Sequence, residues 1–242
     1  MEFSGKEIPQ HFIRNKMKLS SSSEKVYLIM NKPCGYVCSA VSDSHKTVYD
    51  LLTPELQELV QGAKRGHRLH TIGRLDCDTS GLLLLTTDGY FSHKITANTM
   101  VESVETTAEH GTSEVFGSFD KLNHRIHRIS KTYRAALATP VSTEEQEIYI
   151  TRAATGLTLP PEKKYGEQQA GPAILHFIKP DLCEITVHEG KFHEVRRIFR
   201  ALGNEVTALE RISIGDLQLP ADLKTGQWRE LTENEIKLFM LF

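Results

Sequence analysis

The sequence predicts an α+β fold, a mixed and mainly antiparallel sheet with flanking helices. Short runs of apolar and β-branched residues recur along the 242 residues, and the few helical patterns among them do not alternate with strands in a βαβ rhythm. Two of the strand patterns, "AILHFIK" and "LCEITVHEG", also stand near hairpin distance from each other.

Taken in order, residues 1 to 25 end in four serines and read as a flexible leader. Regular structure starts at "VYLIMNKPCGYVCSA", whose first half is a strand pattern that Pro33 and Gly35 break. "TVYDLL" followed by "TPELQELV" predicts a short helix, with Thr53 as N-cap and Pro54 at the first helical position. "GLLLLTT" is continuously apolar between Gly81 and Asp88-Gly89, the pattern of a fully buried strand closed by a turn. The polar segment ahead of it, "GRLDCDTS", is then a loop anchored to a rigid strand, as binding and catalytic residues often are. Residues 98 to 120 carry five acids, no Lys or Arg and no clear period, and read as an acidic surface insert. "KTYRAALA" is a strand pattern, and residues 156 to 172, with Pro160-Pro161 and Gly171-Pro172, a loop.

The clearest helix is "KFHEVRRIFRALGN". Phe192, Val195, Ile198, Phe199 and Leu202 fall on one face, and His193, Arg196, Arg197 and Arg200 on the other. Gly203-Asn204 supplies its C-cap. The last helix, "TENEIKLFMLF", opens with a capping box of Thr232 and Glu235.

Composition narrows the function classes. No apolar run approaches the roughly 20 residues of a membrane span, and the N-terminus has no apolar core of a secretory signal. Cys34, Cys38, Cys77 and Cys183 do not complete a zinc-binding spacing, so free thiols in a reducing cytoplasm are expected. Net charge is −2, but it is segregated: residues 121 to 134 carry five Lys or Arg and residues 61 to 74 carry four, neither with an acid. Two basic blocks of this kind suit a polyanion surface or simply a solvated face.

Asp76 and Asp78, two apart, fit acid–base chemistry, a metal or a polar turn, and the local pattern alone favours the turn. No further acid cluster or glycine-rich loop completes a magnesium or phosphate site. His67/His70 and His124/His127 have metal-compatible spacing, but both pairs sit among cations, so no metal is expected. Tyr133 among cations fits a core strand or a platform for a nucleobase. Up to this point the reaction is open.

Four ordered segments, "YLIMNKPCGYVCSA", "GRLDCDTSGLLLLTTDG", "KTYRAAL" and "HEGKFHEVRRIFRALGNEV", resemble the pseudouridine synthases, in the branch that modifies ribosomal RNA. "GYVCSA", "DSHKTVYDLL" and "GYFSHKIT" extend the likeness to the small-subunit rRNA enzymes. The resemblance implies a pseudouridine synthase catalytic fold over 26–242 and isomerisation of a uridine in RNA by glycosidic cleavage, base rotation and rejoining through C5. No cofactor or metal is implied. Asp76 would be the essential carboxylate, attacking C1′, adding to C6 or removing the C2′ proton. Arg196 would pair with Asp76, and Tyr133 would stack on the uracil and take the C5 proton. Arg74 would fill the gap in the RNA stack, and Lys131, Lys191, His193, Arg197 and Arg200 would hold the RNA.

The implied partner is ribosomal RNA or a partly assembled subunit, bound by a monomer. Two readings stand beside the small-subunit enzyme: a large-subunit rRNA synthase, and a non-catalytic RNA-binding assembly factor on the same fold. The branch usually carries a small S4-type RNA-binding domain, for which the 1–25 leader is too short. Glu194 also stands where the family usually has Gln.

Overall fold

A computed structural model describes residues 25–61, 67–96, 99–100, 126–127, 129–162 and 165–240. In chain order the elements are β1 (Tyr27–Lys32), β2 (Tyr36–Val37), β3 (Lys46–Thr47), a 3-10 turn (Val48–Leu51), α1 (Pro54–Gln61), β4 (His70–Ile72), β5 (Thr79–Thr86) and α2 (Gly89–Thr96). Next come β6 (Thr99–Met100), β7 (Ile126–His127), β8 (Lys131–Leu137), α3 (Thr143–Ala154), β9 (Leu157–Leu159), β10 (Gln168–Ala170), β11 (Ile174–Lys179) and β12 (Leu182–Val187). The chain closes with α4 (Glu194–Leu202), β13 (Val206–Ile214), β14 (Leu217–Gln218), β15 (Trp228–Glu230) and α5 (Glu233–Met240).

The expected mixed, mainly antiparallel sheet is present. Its strands run β11-β12-β8-β13-β5-β1-β15, with β4 on β5 and β14 on β13. Only the central β5–β13 pair of this sheet is parallel, with Leu209 opposite Thr79 and Arg211 opposite Gly81. There the backbones lie so close that a Cβ on Gly81 would stand 2.3 Å from the Arg211 carbonyl oxygen. Gly81 also has a φ of +100°, which L side chains rarely adopt.

The four leucines of β5 explain themselves through the period-2 geometry of a strand covered on both faces. Leu83 and Leu85 pack with Leu28, Met30 and Leu56 on one side. Leu82 and Leu84 pack with Ile29, Phe91 and Phe239 on the other. A third core joins Ala135 and Ile185 of the sheet to Val195, Ile198 and Phe199 of α4. All of Leu82–Leu85 are fully buried, so β5 is a stiff base for the loop that precedes it.

Three parts of the chain differ from expectation. The segment 156–172 is no plain loop, because β9 and β10 pair antiparallel within it. α2 covers "GYFSHKIT", and α3 rises from a capping box of Ser142 and Glu145. The helical stripe of α3 is weak because its only buried residue is Ala153. The leader lies outside the described residues apart from Lys25, as does the acidic insert apart from Thr99 and Met100, which pair with His127 and Ile126. His124 also lies outside them. Among the described residues no helix is long and apolar enough to cross a membrane.

Candidate active site

Asp76 stands three residues before β5, at the end where the parallel β5–β13 pair begins. Its turn is tied down from inside. The fully buried Lys32 donates through Nζ to the carbonyls of Asp76 (3.0 Å), Thr79 (2.8 Å) and Pro33 (3.1 Å). Burial pushes this amine below its ordinary pKa, partly offset by the Cys38, Cys34, Cys77 and Asp76 groups around it. Gly35 N–H donates to the Cys77 carbonyl at 2.7 Å, so the Lys-Pro turn after β1 and the Asp76 turn brace one another.

Beside Asp76 opens a cleft of about 640 Å³. Seven residues singled out in the sequence line it: Arg74, Asp76, Lys131, Tyr133, Lys191, His193 and Arg196. Residues from the 74–76 loop, β8 and the start of α4, far apart in the chain, thus meet at one wall. Tyr133 sits mid-strand on β8, half-buried against two of the cores, with the Arg211 guanidinium 6.0 Å from its ring centroid.

The start of α4 holds most of the charge. His193 caps the helix with a left-handed backbone, φ 48°, the one non-glycine with positive φ among the described residues. Its ring stacks on Phe192 (centroids 3.8 Å), which in turn stacks on Tyr165 (4.7 Å). His193 Nε2 lies 3.6 Å from Asp76 Oδ1, and Nδ1 lies 3.1 Å from Glu162 Oε1. Lys191 pairs with Glu189, which also accepts the Gly171 N–H at 3.2 Å. Glu194 is buried and accepts the Lys191 N–H at 3.3 Å. Burial, reinforced by the neighbouring Glu189 carboxylate, pushes the Glu194 carboxyl up to about 7.

Two expectations are corrected. Arg196 does not pair with Asp76. Its Nη2 meets Asp78 Oδ2 at 2.9 Å and the Asp78 carbonyl at 3.4 Å, while Nη1 donates to the Val206 carbonyl at 2.9 Å. Asp76 faces the helix cap instead, which leaves Asp78 to meet the guanidinium. Arg197 is not a phosphate ligand, for it is fully buried. It donates to the carbonyls of Pro160 (2.8 Å), Gly166 (2.9 Å), Phe192 (3.3 Å) and Leu159 (3.5 Å) and to Gln168 Oε1 (2.6 Å). The β9–β10 ribbon lies over that side of α4 and needs a donor for its inward carbonyls. Arg200 remains half-exposed outside the cleft, 3.7 Å from Glu162.

Sequence reasoning missed Lys32, Glu162 and Arg211. Arg211 is 2% exposed, donates through Nε to the Leu82 carbonyl at 2.8 Å, and has an Nη2 with no hydrogen-bond partner among the described residues. The available signal was a charged residue inside the strand pattern "VTALERISI". Among the described residues no group of three or more His, Cys, Asp and Glu is arranged to hold a metal.

The chain is similar to several known proteins. Residues 26–106 match the family described as RNA pseudouridylate synthase. Ribosomal small subunit pseudouridine synthase A of Escherichia coli (strain K12) is 34% identical over 232 residues, spanning 96% of this chain and 81% of that protein. The protein of the same name from Haemophilus influenzae is 35% identical over 214 residues, spanning 88% of this chain and 73% of that protein. A solved structure titled "Crystal structure of pseudouridylate synthase" shares 34% identity and superposes with a TM-score of 0.67, covering 89% of this chain and 74% of that one.

Proposed function

The chain belongs to the RNA pseudouridine synthase family, and from that premise we propose that it isomerises a uridine of small-subunit ribosomal RNA with Asp76 as its working carboxylate. The observation that carries the site assignment is the convergence of Asp76, Tyr133 and cationic side chains on one cleft beside the rigid β5.

In the reaction the N1–C1′ bond breaks and a C5–C1′ bond forms. The C5 proton leaves and N1 gains one, so no atom is lost and no co-reactant is consumed. Each need has a residue to meet it. A uridine turned out of its stack costs a few kcal/mol, which base–aromatic contact on Tyr133 offsets. Tyr133 also presents a hydroxyl for the C5 proton. The Asp76 turn is held by hydrogen bonds from the Lys32 ammonium to its carbonyls, and Arg196 clamps the same turn through Asp78. Arg196 therefore acts on the position of Asp76 through the loop. Arg74, Lys131 and Lys191 rim the cleft where phosphates would pass.

The test is tritium release from C5-labelled uridine in small-subunit rRNA, supplied naked and as assembly intermediates, by wild type and Asp76→Asn. Release by wild type alone, with RNA binding retained in the variant, is the expected result. Turnover by Asp76→Asn at the wild-type rate would remove Asp76 from the mechanism. Binding without release from every substrate would mean a non-catalytic assembly factor.

A further inference from the structure

We infer that His193 is a positioning residue for Asp76, held in place by Glu162; the inference rests on the reading of Asp76 as the reactive carboxylate. The first observation is geometric. The imidazole bridges two carboxylates from distant segments, Asp76 Oδ1 at 3.6 Å from Nε2 and Glu162 Oε1 at 3.1 Å from Nδ1. Both are ion-pair distances, the Glu162 contact the shorter of the two. Both carboxylates, when ionised, only accept, so the ring presents a nitrogen edge to each, Nδ1 to Glu162 and Nε2 to Asp76.

The second observation is the cost at which the ring is held. His193 adopts a left-handed backbone, φ 48°, that glycine would adopt more readily, and strain of this kind gathers at functional sites. Phe192, itself stacked on Tyr165, closes one face of the ring, leaving the side chain 16% exposed. Glu162 is equally constrained: its N–H and carbonyl pair with those of Tyr165 at 2.8 and 2.9 Å, and Arg200 approaches its other oxygen at 3.7 Å. A residue whose task was to grip a phosphate would keep its edge toward solvent and would not need a carboxylate behind it. His193 was expected to bind RNA; its surroundings make it a strut between Glu162 and the reactive loop.

The charged groups facing the strut are Asp76 from the loop before β5, Glu162 from the turn between β9 and β10, and Arg200 behind Glu162. Truncating the ring frees the Asp76 carboxylate to rotate toward solvent, and misplacement of a reacting group by about 1 Å costs on the order of 100-fold in rate.

The experiment uses the full chain with His193→Gly, His193→Gln and Glu162→Gln. His193→Gly suits the left-handed backbone, and His193→Gln keeps a polar reach toward both carboxylates. In the rRNA assay His193→Gly should lower kcat about 100-fold with KM within about threefold, added imidazole should restore at least tenfold of the loss, and His193→Gln should retain more activity than His193→Gly. Glu162→Gln should lower kcat about tenfold. A rise in KM with unchanged kcat would return His193 to RNA binding, and a kcat loss that imidazole does not rescue would make the ring merely structural. Crystal structures of wild type and His193→Gly give a readout independent of turnover. One Asp76 rotamer in wild type and several in the variant are expected, and a single unchanged rotamer in both would overturn the inference. Absence of wild-type turnover would count against the proposed reaction, while the crystal comparison would still decide the strut.

Discussion

Replacing Glu194 by Gln should stabilise the protein increasingly as pH rises from about 4.5 to about 7, and fully above that. Glu194 sits at the first position of α4, 6% exposed, beside Glu189 and Lys191. Burial and the Glu189 carboxylate raise its carboxyl from 4.5 to about 7. A raised folded-state value means that the fold prefers the protonated form. Its contribution is therefore complete below about pH 4.5 and is lost as pH rises through about 7. The rise corresponds to about 3 kcal/mol at roughly 1.4 kcal/mol per pH unit. Glutamine mimics the protonated carboxyl: its oxygen can accept the Lys191 N–H and its amide can donate to Glu189. Glu194→Gln and wild type should accordingly melt together at pH 4.5. By pH 8 the variant should lead by about 6–12 °C, taking 2–4 °C per kcal/mol for a chain of this size. Calorimetric melts of both proteins from pH 4.5 to 8 read this directly. A difference that stays constant across the range, or a variant that melts lower at pH 8, would refute the burial argument.

Three further outcomes follow from the same geometry. Arg197→Met should lower unfolding stability by about 3 kcal/mol or more in urea titrations, because it strands the ribbon's buried carbonyls; a variant that melts normally but loses RNA affinity would restore the phosphate role. Arg200→Ala should weaken RNA binding and reduce the slope of log affinity against log salt by about 1, and an unchanged slope would remove Arg200 from the RNA contact surface. Gly81→Ala should cost more than about 3 kcal/mol through overpacking and strain where β5 meets β13, measured by thermal melting; near-normal stability would show that the two strands can part without loss of the fold.

Much of the fold was legible because it is written locally. The "GLLLLTT" run between turn residues marks a buried strand, and its alternation between two cores follows from strand geometry alone. The helix-end signals at Pro54, Thr232 and Gly203 are short-range hydrogen-bond and backbone preferences, and all three helix ends lie where the sequence puts them. α3 was missed although its "STEE" start carries a capping box, because its face packs too little apolar surface to show a stripe. Seven of the site residues were legible because motif positions survive as local patterns around the loop, the strand and the helix that meet at the cleft.

What the sequence determined by itself was therefore the buried β5 strand, the start of α1, the end of α4, the start of α5, and that a polar loop with Asp76 precedes that strand. Only the tertiary structure decided which charge meets which. Arg196, Arg197 and Arg200 look alike in sequence, yet the β9–β10 ribbon buries the second and leaves the last half-exposed. The Asp76 carboxylate faces His193, and Arg196 meets Asp78, because the loop presents its two acids to different parts of one helix. Glu162, Lys32 and Arg211 reach the site across sequence separations that no periodicity records. Helical and strand periods fix directions around an element's own axis; which direction is covered, and by which partner atom, depends on the neighbour that packs there.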